Sequence, residues 1–385
     1  MLTLWKNCDV YAPAHLGLQD ILIEGGRIAA LGEDLGLWLR APEITVRDMA
    51  GAAVCPGLID QHVHVTGGGG EQGPASRTPE LKLTDFTRSG VTSVVGLLGT
   101  DGVSRSLENL LFKVRALEEE GLSAWMLTGN YRVPTRTLTG DVQRDICLID
   151  KIIGVKVAVA DHRSSAVTGQ ELARLATEAR LGGMLSGKPG LVVLHMGASE
   201  ERMAAIFWAL EHSDVPAGHF LPTHCCRSPE LIAEGVALTK RGGTIDFTAE
   251  LPDNEAGTAA ALCSALRLGA DPARITMSSD GGGSQPAFNE RGECIGLCSA
   301  TSETLLQELR RMISREGLDL QMALRFFTEN PARVIGQAGR KGCVAPGADA
   351  DLLVLDENYK VRHLLAKGRV AVWDGAAVMK GRFEI

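Results

Sequence analysis

The chain lacks the features that mark several large protein classes. It has no Cys-x-x-Cys pair, and its nine cysteines are odd in number and scattered, which fits reduced thiols better than a disulfide frame. No run approaches the ~18 consecutive apolar residues that a membrane-spanning helix needs. The opening Met1-Leu2-Thr3-Leu4-Trp5-Lys6 shows no charged segment followed by an apolar one. A secretory signal is therefore not visible, and a cytoplasmic location is expected. Positive charge is in deficit: the formal net charge of −8 argues against nucleic acid or an anionic membrane as the main partner. No solenoid-type repeat is evident. Aromatic residues make up 4%, with three tyrosines in all.

What remains is an ordinary globular composition, 45% hydrophobic and 22% charged, over 385 residues. That length suits one large domain plus a lesser one. The first fifty residues read as short strands: Asp20 to Glu24, the turn Gly25-Gly26, then Arg27 to Leu31, a hairpin pattern. The signature returns near the end, with Pro346-Gly347 as a turn and strands over 351–355, 361–365 and 369–372. The two ends are expected to build one small β-sandwich domain, residues 1–55 with 345–385. Between them apolar runs fall at 57–64, 91–98, 123–128, 152–159, 191–195, 220–224, 244–248 and 275–279. Helical patterns separate most of them, for example 107–120, 169–185 and 199–212, and 305–313 with 320–327 close the series. Eight alternations predict an α/β fold, a (β/α)8 TIM-type barrel over residues 56–344.

Active sites of such barrels sit at the C-terminal strand ends. Strand 1 ends in His62 and His64, strand 5 in His195, strand 6 in His224 and strand 8 in Asp280, while strand 4 carries Lys156. Residues i and i+2 of a strand share a face, so His62 and His64 offer two imidazoles to one point. A single histidine of this kind reads best as a satisfied core imidazole. Four converging with a carboxylate read as metal ligands. A lysine desolvated beside cations loses its proton, and the neutral amine can add carbon dioxide to become an anionic carbamate. Four histidines and one aspartate leave two metals without a bridge, a role the carbamate fills. Such a pair can hold a hydroxide and polarise a carbonyl. Cys225 and Cys226 follow His224 directly but point to opposite faces, and both read as packing or loop thiols.

Several stretches together resemble the amidohydrolase superfamily and, more narrowly, the isoaspartyl (β-aspartyl) dipeptidases. They are Pro56-Gly57-Leu58-Ile59-Asp60-Gln61-His62-Val63-His64, Gly67-Gly68-Gly69-Gly70-Glu71, Gly96-Leu97-Leu98-Gly99-Thr100-Asp101 and Trp125 to Tyr131. Ile153-Gly154-Val155-Lys156, Asp161-His162-Arg163, His195-Met196-Gly197, Pro222-Thr223-His224 and Ser278 to Pro286 complete the set. The pair Cys225-Cys226 departs from the family pattern. The resemblance implies two Zn2+ per chain, one on His62, His64 and Asp280 and the other on His195 and His224, with carboxylated Lys156 bridging. It implies that Asp280 takes the proton of the attacking hydroxide and passes it to the leaving amine. It also implies a high-order homo-oligomer such as an octamer.

An isoaspartyl dipeptide carries an α-ammonium and two carboxylates. Glu71, on the glycine-rich loop, can supply the anion, and Arg163 and Arg227 can make bidentate carboxylate contacts. Ser284 and the backbone around Gly69, Gly70 and Thr100 add hydrogen bonds. Tyr11 and Tyr359 lie in the terminal domain, which leaves Tyr131 to donate a hydroxyl to the developing oxyanion. His162 adjoins the site without a ligand role; His15, His212, His219 and His363 read as ordinary. The reading is a cytoplasmic binuclear zinc dipeptidase. Its rivals are a cyclic-amide hydrolase of the dihydroorotase or hydantoinase kind, which has no use for an ammonium-binding Glu71, and a non-catalytic hydantoinase-like scaffold, which would have lost metal ligands.

Overall fold

Strands from the two ends of the chain share one sheet. The computed structural model describes residues 2–249, 257–288 and 294–384. At the N-terminal side lie β1 (Leu2–Tyr11), β2 (His15–Glu24), β3 (Arg27–Gly32), β4 (Ile44–Asp48) and β5 (Ala53–Pro56). The barrel strands follow: β6 (Leu58–Val63), β7 (Val91–Gly96), β8 (Ser123–Gly129), β9 (Ile152–Val159), β10 (Leu191–Met196), β11 (Phe220–Thr223), β12 (Ile245–Thr248) and β13 (Ile275–Ser278). A hairpin, β14 (Ser284–Phe288) and β15 (Cys294–Ser299), comes next, and then β16 (Leu352–Leu355), β17 (Val361–Ala366), β18 (Arg369–Trp373) and β19 (Ala376–Ala377).

The terminal strands form a nine-stranded sheet ordered β19-β18-β17-β16-β5-β1-β2-β3, with β4 beside β1. The expected layers are thus parts of one continuous sheet that folds over on itself. Ile28 N–H donates to Ala348 O at 2.9 Å and Ala350 N–H to Gly26 O at 2.9 Å, joining the β2–β3 turn to the segment before β16. Trp5, Val10, Ile21, Ile23, Val54, Leu352 and Leu365 fill the space between. We propose that this sheet and the barrel are the two domains, divided near residues 56 and 344.

Strands β6 to β11 run parallel in sequence order, and β12 pairs with β13. Cys225 N–H donates to Asp246 O at 3.1 Å across the β11–β12 gap, and His64 N–H to Gly281 O at 2.7 Å where the last strand meets the first. The curled sheet therefore closes as a (β/α)8 barrel. Its strands are buried along their described length except at the half-buried Trp125 of β8, because helices cover the outside while Ile59, Val95, Leu127, Ile153, Val193 and Leu221 fill the inside. Each such side chain contributes roughly 1.5–3 kcal/mol of burial.

The helices follow local chemistry. Leu107–Glu120 buries Leu107, Leu110, Val114 and Leu117, one stripe at helical spacing, and Ser106 caps it by accepting from Asn109 N–H. Gly169–Ser186 starts at a capping box of Thr168 and Glu171. The helix expected from residue 199 starts later, at Ala204. Arg202 has φ +41°, and the Glu234 carboxylate accepts Met203 N–H at 2.9 Å and Arg202 Nε at 2.8 Å, which holds the chain in a turn. Among the described residues no helix is long and apolar enough to cross a membrane.

Candidate active site

The expected ligand residues meet at one end of the barrel. A register shift between Asp60 and Val63 breaks the β6–β7 ladder, and such bulges re-aim side chains. Here it leaves His62 and His64 both buried at the mouth. Their imidazole Nε2 atoms lie 3.5 and 3.1 Å from Asp280 Oδ1. Asp280 and His224 have φ of +54° and +64°, backbone conformations that cost energy for residues other than glycine. Asp60 steadies the turn before Asp280: its carboxylate accepts Ser279 N–H at 3.1 Å and Ser302 Oγ at 2.8 Å. Gly99 packs closely on the ligand ring: a Cβ there would stand 3.0 Å from His64 Cε1, so the imidazole would have to give way.

Atoms of His62, His224 and Asp280 lie within 4.8 Å of one another. His224 Nδ1 pairs with Thr248 Oγ1 at 2.6 Å, leaving Nε2 buried and without a hydrogen-bond partner, as is Asp280 Oδ1. Unmet buried acceptors of this kind call for an electrophile. The spacing suits a metal: two ligands at about 2.0–2.2 Å from one tetrahedral zinc stand about 3.3–3.6 Å apart. The 3.5 Å separation between His62 and Asp280 falls in this range, and the 3.1 Å separation at His64 is slightly shorter. His195 joins the group, with its ring centroid 4.5 Å from that of His224. Its Nε2 pairs with Asp161 Oδ2 at 3.0 Å and its Nδ1 takes the Tyr131 hydroxyl at 2.7 Å. A carboxylate behind a ligating histidine fixes the ring and raises its basicity. Sequence reasoning passed over Asp161 and Thr248, each of which stands behind a candidate ligand. The adjoining Asp161-His162-Arg163 motif was the available signal for the first; nothing marked the second.

Electrostatics prepare these groups for cations. Burial, reinforced by neighbouring positive charges, holds His62 and His224 well below the usual imidazole range and His195 down to about 3. All three are neutral lone-pair donors at pH 7. Burial works to raise Asp280, but the close approach of His64, His62 and Lys156 outweighs it and keeps the carboxylate ionised. Lys156, fully buried, has its Nζ 3.0 Å from His62 Nε2. Desolvation pulls its pKa from 10.5 to about 7, so much of the amine is neutral near pH 7. If Lys156 carries the carbamate expected from the sequence, the rate at which metal-depleted protein regains metal at fixed dissolved CO2 should rise roughly tenfold per pH unit below about 7 and level off above it. A rate still climbing toward pH 10, followed by metal uptake, would show that the free amine is not the limiting species.

The expected substrate-facing residues ring this cluster. Glu71 Oε1 lies 3.1 Å from Thr100 Oγ1 and 3.3 Å from Arg163 Nη1. Asp161 grips Arg163 through Nε and Nη2, each at 2.9 Å. Arg227 donates to Met196 O, with its Nη1 3.3 Å from His195 Nε2. Gly69 has φ +70°, and a Cβ there would stand 3.2 Å from Ser284 Cβ, so the glycine-rich loop passes directly over that serine. Gly70 continues the same turn at φ +101°. His162 is 86% exposed, its Nδ1 3.7 Å from Asp161 Oδ1, and it takes no place among the candidate ligands. Cys225 is buried, its thiol pushed up by burial, and its Sγ contacts Pro222 O at 3.3 Å; it takes no place among the candidate ligands. Cys226 Sγ lies 3.9 Å from Thr248 O.

A barrel with this cluster at its mouth defines a class, and comparison with known proteins names it. The amidohydrolase family model matches residues 53–371, and the chain belongs to that family. It is similar, at 42% identity and a TM-score of 0.90, with 98% of each chain covered, to a crystal structure of the β-aspartyl dipeptidase of Fervidobacterium islandicum AW-1 in complex with β-Asp-Leu. D-hydantoinase shares the fold at a TM-score of 0.70 and 17% identity, covering 100% of this chain and 98% of that one. Adenine deaminase 2 of Rhizobium meliloti is 26% identical over 87% of this chain and 51% of its own length. The chain thus spans about half the length of that curated relative.

Proposed function

We propose that the protein is a binuclear zinc dipeptidase that hydrolyses the β-aspartyl isopeptide bond of isoaspartyl dipeptides. The observation that carries this reading is the Glu71–Arg163 pair, 3.3 Å apart, set beside the ligand cluster. An α-amino acid end presents an ammonium and a carboxylate on one carbon, and adjacent opposite charges complement it. A cyclic amide has no ammonium for Glu71, even where, as in dihydroorotate, it carries a carboxylate. The 42% identity to a β-aspartyl dipeptidase bound to β-Asp-Leu supports the same substrate class.

His62, His64 and Asp280 would hold one zinc, His195 and His224 the other, and Lys156, as its carbamate, would bridge them. When bound, the ions supply Lewis acidity toward the carbonyl and lower the pKa of a water to about 7. The chain's own groups then share the remaining work. Glu71 takes the substrate ammonium, Arg163 and Arg227 the carboxylates, and Thr100, Ser284, Gly69 and Gly70 align the backbone of the dipeptide. Burial pushes the Tyr131 phenol far above the neutral range, so it keeps its proton and can donate it, as an oxyanion partner must. Asp280 accepts a proton as water adds to the β-carbonyl and delivers it to the nitrogen as the C–N bond breaks, yielding aspartate and a free amino acid. A cytoplasmic setting and a homo-oligomeric assembly belong to the same proposal.

Purified protein assayed on β-Asp-Leu and on dihydroorotate tests the reading. Release of aspartate and leucine is expected, and turnover of dihydroorotate alone would transfer the protein to the cyclic-amide class. In the same assay Glu71→Ala should lower kcat/KM on β-Asp-Leu by about 10- to 100-fold, the loss of one charge-assisted bond of about 1.5–3 kcal/mol, with metal content unchanged. Unaltered kinetics would remove Glu71 from ammonium binding.

A further inference from the structure

Strand β12 supplies no candidate ligand, yet it carries a buried carboxylate directly beneath the cluster. Asp246 is 1% exposed. Its Oδ1 accepts from Gln61 Nε2 at 2.9 Å and Thr276 Oγ1 at 2.8 Å, and its Oδ2 from Thr223 Oγ1 at 2.7 Å and Ser278 Oγ at 2.6 Å. An ionised carboxylate has about four acceptor positions, and here four donors occupy them. The donors come from β6, β11 and β13, each close to a candidate ligand. Gln61 precedes His62, Thr223 precedes His224, and Ser278 stands two residues before Asp280.

We infer that Asp246 is a positioning residue that locks the strand ends bearing His62, His224 and Asp280 to one another. Packing alone does not explain it. Burying a carboxylate costs several kcal/mol before its hydrogen bonds return anything, and an apolar residue would fill the barrel at lower cost. The lower barrel layer shows that solution, with Ile59, Ile153 and Leu221. What the carboxylate adds is direction: two acceptor atoms in one plane set the relative height of three separate strands. Ligand positions must hold within about 0.5 Å for a metal site to keep its geometry, and His224 and Asp280 both sit on strained, positive-φ backbone that would relax if untied. The inference rests on the ligand assignment proposed above.

The test measures zinc affinity, kcat and KM on β-Asp-Leu, and melting temperature for the full chain and four variants. Asp246→Asn replaces two acceptor positions by donors that face hydroxyls. Thr223→Val and Ser278→Ala each remove one tie, and Thr223→Ser keeps it. Expected are a zinc affinity lowered about 10- to 100-fold in Asp246→Asn, as for other residues that orient ligands, with kcat reduced and KM within about twofold. Smaller losses should appear in Thr223→Val and Ser278→Ala, and near-recovery in Thr223→Ser. If zinc affinity and kcat are those of the wild type and melting temperature alone falls, Asp246 serves only barrel stability and the inference is wrong. Should Asp246→Asn not fold, the Thr223 and Ser278 variants decide by the same criteria. Wild-type protein that binds zinc but leaves β-Asp-Leu intact would overturn the substrate assignment while the affinity readout still judges Asp246. Wild-type protein that binds no zinc would overturn both.

Discussion

Lys156→Ala protein will fold but will not retain a pair of zinc ions, and its turnover of β-Asp-Leu will fall at least about 1,000-fold. The magnitude follows from losing several kcal/mol of charge stabilisation, about 1.4 kcal/mol per factor of ten. Lys156 is the one lysine among the proposed ligands, and its amine already touches His62. Alanine leaves a cavity on the inner wall of the barrel between β8 and β10, wide enough for a small acid. A short carboxylate such as propionate should therefore restore part of the activity and the second metal. Metal analysis of the variant with and without propionate checks this. Two zincs per chain without any added acid would show that Lys156 is a packing residue and that the bridge lies elsewhere.

Asp280→Asn will lower kcat by about 100- to 10,000-fold, the range set by loss of a general acid–base group, while KM on β-Asp-Leu changes little. The amide has nearly the shape of the carboxylate, so the turn held by Asp60 through Ser279 should survive. It cannot take a proton from the attacking water. Steady-state kinetics with a zinc count separate the two duties proposed for this residue: kcat falls with the proton shuttle, zinc occupancy with the ligand. A variant keeping more than about a tenth of the wild-type kcat would assign proton transfer to another group.

The barrel was legible because its strands are covered on both faces and therefore read as mainly apolar runs, each ending within two residues of its observed limit. The helix start at Ala204 was not, because it depends on Glu234, thirty-one residues away from Met203, reaching back to the backbone. Continuity of the terminal sheet was hidden for a similar reason: the pairing of Val54 with Val354 leaves no local trace. The proposed ligands stood out as polar residues at the ends of apolar runs. Asp161, Thr248 and Asp246 did not, since a small polar residue near a strand end looks the same whether it orients a neighbour or faces solvent. Glu71 and Arg163 were each visible as charges, but their mutual contact belongs to the folded loops.

The pairing of β5 with β16 has a consequence for biosynthesis. A ribosome releasing this chain exposes Ala53–Pro56 about three hundred residues before Leu352–Leu355 arrives to cover it. Until then the entry to the barrel has a bare edge able to capture strands of other nascent molecules. Expression yield should accordingly depend on chaperone supply during synthesis more than on the stability of the finished protein.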